Sequence, residues 1–191
     1  MVTTESNFSC TSCTFETNTA SRGGALYVES DSRTELDGCT FDGNKANKDG
    51  SACYMATSKP AETSRIQNTD FTYNEVENSG TIYLIQSSLS LDEVTFKNNT
   101  TSGTTAGVSL IVSDLNLTNS VFEDQTADLG GFIYSAEDSN VNITSSTFDN
   151  ITADTSGGFL YASSSNVTLS DVTVNKANST LGSAIYCVEE S

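Results

Sequence analysis

The side chains able to do chemistry are few and regularly placed. Glu16 and Asp42 each stand one residue after a Phe, as do Glu123 and Asp149, and the members of each pair are 26 residues apart. Paired carboxylates serve polysaccharide-cleaving sites, where calcium or a nearby basic residue helps to move protons or steady developing charge. Here His is absent, and Arg22, Arg33 and Arg65 are scattered. No nucleophile with its base, no Gly-rich phosphate loop and no metal-spaced Cys and His cluster is present. The acidic pairs therefore read in one of two ways: like charges bridged by a cation, or carboxylates splayed into solvent. No catalytic residue, metal ligand or cofactor is assigned.

Cysteine and asparagine supply the remaining candidates. Cys13 and Cys39 occupy one repeat position, two residues before Phe15 and Phe41. Stacked in adjacent coils they would stand about 5 Å apart, inside disulfide range, so they are either a bridge or two small buried hydrophobes. With five cysteines, at least one thiol stays outside any intrachain pairing. Glycosylation sequons begin at Asn116, Asn142, Asn166 and Asn178 among others. Asn116 and Asn142 each lie between aliphatics that face inward, so they point outward, where stacking crowds one against the other.

The elements that must position these groups come from an internal repeat, best seen in LTNSVFEDQTADLGGFIY from Leu117 to Tyr134. Its anchor is a Phe, recurring as Phe15, Phe41, Phe71, Phe96, Phe122 and Phe148, with Val174 in the seventh place. Five residues earlier stand Cys10, Leu36, Ile66, Leu91, Leu117, Ile143 and Leu169; a Gly follows about nine residues later, and a Tyr then closes most copies. Segments such as Leu115 to Leu117 and Val141 to Ile143 alternate apolar and polar residues, as strands with one buried face do. Three short strands and three corners fit one coil of a parallel β-helix, whereas a propeller blade needs about 40 residues.

The expected fold is all-β, a single-stranded parallel β-helix of about seven coils of about 26 residues, forming one domain over 1–191. Residues 1–14 make a partial first coil, 15–173 six coils and 174–191 a partial last coil. At about 4.8 Å per coil the rod is about 34 Å long. The Phe rings stack inside as its core. Asn18, Asn44, Asn74 and Asn99, three residues after their anchors, form a structural corner ladder, since Asn tolerates left-handed backbone and bonds neighbouring main chain. The stretch Thr57 to Ser64, with the sole proline, Pro60, is expected to protrude.

Composition agrees with such a rod. Only 36% of residues are hydrophobic, because each coil buries a few inward side chains and leaves the rest in water. The formal charge of −17 disfavours nucleic acid and anionic membranes as partners. The opening MVTTESNFSC has neither the basic start nor the apolar stretch of a signal peptide, and no segment is expected to insert into a membrane.

The tetrapeptides FETN (Phe15 to Asn18), FDGN (Phe41 to Asn44), FTYN (Phe71 to Asn74) and FKNN (Phe96 to Asn99) alternate with GGAL (Gly23 to Leu26), GGFI (Gly130 to Ile133), GGFL (Gly157 to Leu160) and GSAI (Gly182 to Ile185). Together they resemble the FxxN and GGA[ILV] motifs of polymorphic outer-membrane protein repeats, known from chlamydial surface adhesins and from large surface proteins of some protists. The resemblance implies a right-handed β-helix displayed outside a cell. In the last three copies Gln125, Ile151 and Ala177 stand where the motif has Asn.

The function expected is non-enzymatic: an extracellular or cell-surface structural or adhesive solenoid. Open terminal coils expose pairing edges, so end-to-end self-association into a filament, or pairing with neighbouring solenoid segments, is the expected assembly. Host or matrix glycans are further candidate partners. The alternative is a polysaccharide-binding or polysaccharide-cleaving β-helix with a groove beside Thr57 to Ser64.

Overall fold

The computed structural model describes residues 6–30, 32–56 and 63–189. Among them the chain is all-β, with no helix, and winds into a parallel β-solenoid of about seven turns. The insertion expected to protrude falls largely on residues 57–62, which lie outside the described residues.

Each turn contributes to three sheets. Sheet A stacks seven strands, from Asn7–Thr11 through Asp114–Thr118 and Asn140–Thr144 to Asn166–Ser170. Sheet B carries the Phe anchors, and sheet C runs from Leu26–Glu29 to Ile185–Val188. Register is set residue by residue: Phe15 pairs with Phe41, Phe41 with Phe71, Phe71 with Phe96, Phe96 with Phe122 and Phe122 with Phe148. A slip of one residue would turn every buried side chain outward, so the fixed spacing of the anchors enforces this alignment.

The core is a column. Phe41, Phe71, Phe96, Phe122 and Phe148 are wholly buried, and Phe15 is half-buried in the first coil. Successive rings stack at 4.5–5.3 Å between centroids, close enough for aromatic contact beyond simple burial. Leu36, Ile66, Leu91, Leu117 and Ile143 line the sheet A wall opposite.

Corners turn by two devices. Gly23, Gly50, Gly130, Gly157 and Gly182 have φ between +49° and +67°, and a Cβ there would come within 2.1–2.4 Å of the carbonyl oxygen three residues on. Only Gly fits that turn. At the other corners hydroxyls replace missing strand bonds. Val94 N–H donates to Ser120 Oγ and Ser120 N–H to Ser146 Oγ, while each Ser donates in turn to the carbonyl two residues before it. Ser87, Ser113 and Ser139 repeat the arrangement at the next corner, so buried backbone N–H groups stay satisfied.

Candidate functional site

The solenoid presents three outer faces, and they differ in chemistry. Sheet A shows polar side chains: Glu35, Arg65, Ser90, Asn116, Asn142 and Thr168 form its central outward column. Sheet B shows Thr residues and acids beside the anchors. Sheet C differs. The residues on either side of each Tyr, such as Leu26 and Val28, Cys53 and Met55, and Ile82 and Leu84, point inward, so Tyr27, Tyr54, Tyr83, Tyr134, Tyr161 and Tyr186 fall in one column on the opposite side, with Ser109 in the fourth place; Tyr54 and Ser109 are covered by their neighbours.

Neighbouring tyrosine rings stack almost parallel at 5.0–5.4 Å. Stacking hides the ring faces and leaves the edges and hydroxyls outward. The neighbouring register column is also nearly uncharged, holding Glu29, Ala56, Ile85, Ile111, Ala136, Ser163 and Val188, of which Ala136 and Ser163 are buried. Arg22 lies over Tyr54 at 5.5 Å and is held there by Asp49 at 3.2 Å. Burial, with Asp49 nearby, pushes the Tyr83 phenol up to about 12, so it remains a neutral donor and acceptor at physiological pH. The sequence masks this face, because Tyr reads there as the end of an apolar run. The signal was available in the alternation of Leu26, Tyr27 and Val28, which forces the Tyr outward.

The acids singled out from sequence are structural neighbours. Glu16 aligns with Asp42, and Glu123 with Asp149. Asp42 accepts the Thr72 hydroxyl at 2.6 Å, Glu123 pairs with Lys97 at 2.8 Å, and Asp149 with Lys176 at 3.3 Å. These contacts join adjacent coils and are partly exposed, where such pairs contribute little.

The four corner asparagines are brought together. Asn74 donates through Nδ2 to Asn99 Oδ1 at 2.9 Å and to the Phe41 carbonyl at 3.0 Å, and its Oδ1 accepts from both the N–H and Nδ2 of Asn44. Asn44 Oδ1 receives Asn18 in the same way. Asn44, Asn74 and Asn99 are wholly buried. Among the sequon residues, Asn116, Asn142, Asn166 and Asn178 are exposed. Asn142 Nδ2 bonds Asn116 Oδ1 at 3.2 Å, whereas Asn166 stacks on Asn140.

The cysteine expectation is corrected. The disulfide joins Cys10 to Cys13, with Cα atoms 6.2 Å apart, and Cys39 is a free buried thiol. Cys13 and Cys39 do share a register, yet Cys39 fills the ladder place that Thr69, Ser120 and Ser146 hold in later coils. Its Sγ–H donates to the carbonyls of Asp37 and Cys10 at 3.5 Å, as a hydroxyl would there. Cys13 closes instead on Cys10 across its own corner. Cys187, in the last coil, is an exposed free thiol.

Two segments, 12–29 and 38–56, match the family model of the Chlamydia polymorphic membrane protein repeat. Those two segments of the solenoid are repeats of that type. Each matched segment runs from the residues just before a Phe anchor, through its Asn corner, into a tyrosine-bearing strand of sheet C. No curated protein and no solved structure matches the chain.

Proposed function

We propose that this chain is a segment of an adhesive solenoid displayed at a cell surface, which binds a neutral glycan along the outer face of sheet C and catalyses nothing. The observation that carries the reading is the contrast among the three faces: polar or charged on A and B, aromatic and nearly uncharged on C. Polymorphic-membrane-protein-type repeats fit a surface adhesin-like structural role. A charge of −17 repels acidic glycans and leaves neutral ones as partners. Sugar rings offer hydroxyls and apolar C–H edges, which a row of Tyr edges and phenols can meet at one contact per strand spacing of about 4.8 Å.

The test is retention on immobilised neutral and acidic polysaccharides, comparing the native chain with a Tyr83→Ser, Tyr161→Ser double variant. Serine already occupies this column at Ser109, so the variant keeps the fold. Loss of neutral-glycan retention is expected, while Asp42→Asn and Asp149→Asn bind as the native chain does. Retention that survives the Tyr changes, or release of reducing ends that depends on Asp42, would move the function to the polysaccharide-cleaving alternative.

A further inference from the structure

A third sulfur sits against the Cys10–Cys13 disulfide. The Sγ atoms of Cys10, Cys13 and Cys39 all lie within 4.8 Å of one another. Cys39 belongs to the core, while Cys10 and Cys13 are half-buried at the corner and packed against it. Opening the disulfide with a dithiol or phosphine adds two electrons and two protons, and leaves three thiols converging on one point.

We propose that the reduced corner is a binding site for a thiophilic divalent d10 ion, with Zn2+ as the natural occupant and Cd2+ as its close mimic. Sulfur donors alone select this class over calcium or magnesium, which take oxygen. Tetrahedral zinc at about 2.3 Å from each sulfur needs sulfurs about 3.8 Å apart, so Cys39 has at most about 1 Å to close while the Cys10 and Cys13 sulfurs separate once their bond is opened. Three thiolates and one divalent ion carry net charge −1, less than the same thiolates with a monovalent ion. The half-exposed side at Cys10 and Cys13 admits water as a fourth ligand, the pattern of an open zinc site. Each sulfur exchanges its S–H for an S–metal bond and releases its proton to solvent.

Metal and disulfide are mutually exclusive, because Cys10 and Cys13 serve both. The ion is held where the chain is kept reduced, and the disulfide replaces it in oxidising surroundings. Cys39 is the residue that distinguishes the two states, as it binds metal and takes no part in the bridge.

The test uses the full chain, reduced with a phosphine under nitrogen and titrated with Cd2+ alone, then Zn2+ alone. One ion per chain and an ultraviolet sulfur-to-cadmium charge-transfer band are expected. Zinc loading should also block formation of the Cys10–Cys13 disulfide when air is admitted. Cys39→Ser should abolish the stoichiometric band while leaving the disulfide able to form; it folds because Ser and Thr fill this ladder place in other coils. Cys53→Ser and Cys187→Ser should bind as the native chain does. Absence of one-to-one binding, binding that survives Cys39→Ser, or binding that disappears with Cys187→Ser would each overturn the proposal.

Discussion

The first four coils and the next two solve the same interior differently. In the first four, each coil's path through sheet B breaks into two short strands, as at Thr40–Asp42 and Lys45–Ala46. The break is the corner Asn, buried in all but the first coil, whose side chain takes over bonds that the backbone ladder would have made. In the fifth and sixth coils Gln125 and Ile151 replace it, and the strands run through as Val121–Leu129 and Thr147–Ser156. Gln125 and Ile151 then pair with each other through the backbone.

The interior compensates for the exchange. At the place before each sheet C strand, the first coils hold Ala25, Ala52 and Thr81, while the later ones hold Phe132 and Phe159. Phe132 packs on Phe122 at 4.0 Å and reaches edge-on to Phe96 at 5.5 Å. Gly107 makes room for it, since a Cβ there would lie 2.1 Å from the Phe132 ring. One region closes its corner with a polar ladder and a small neighbour; the other uses apolar side chains and a second aromatic. The same backbone coil accepts either, because what it requires is filled volume and satisfied N–H groups.

The contrast breaks most visibly at Asn74. Asn74→Ala takes the Oδ1 acceptor from the N–H and Nδ2 of Asn44 and the Nδ2 donor from the Phe41 carbonyl in a dry interior, leaving Asn99 Oδ1 only the Asn74 backbone N–H, and should cost about 3–5 kcal/mol, read as a lower urea midpoint. A change of under about 1 kcal/mol would show that the ladder contributes no more than a surface bond. The sharper comparison is one substitution in both regions. Gln125 donates through Nε2 to the Glu123 carbonyl at 2.7 Å, but its buried Oε1 has no partner. Gln125→Leu should therefore shift stability by no more than about 1 kcal/mol, in either direction, whereas Asn99→Leu should cost about 3 kcal/mol. Equal costs at the two sites would erase the distinction.

Much of the fold was legible from register. Phe15 through Phe148 repeat at nearly constant spacing, and aliphatic alternation at Leu115 to Leu117 gave the sheet A wall its inward direction. Periodicity could not show that losing Asn at Gln125 fuses two strands, because that depends on which groups take the backbone bonds. Nor could it choose among Cys10, Cys13 and Cys39: shared register brings sulfurs close, and side-chain direction at a corner decides which pair closes. The hydroxyl ladders through Ser120 and Ser146 were masked by the abundance of Ser and Thr. Sheet C's outer face was hidden for the opposite reason, since an aromatic residue next to aliphatics resembles core.

The most direct test of the account is hydroxyl-radical footprinting of tyrosines with and without a saturating neutral glycan, read by mass spectrometry. Tyr73, which is 63% exposed and lies in the bend between the sheet B strands Asp70–Thr72 and Glu75–Val76, serves as the internal control. Tyr83, Tyr134 and Tyr161 are expected to become protected while Tyr73 reacts as before. Protection of Tyr73 alone, or of no tyrosine while glycan remains bound, would contradict a binding face on sheet C.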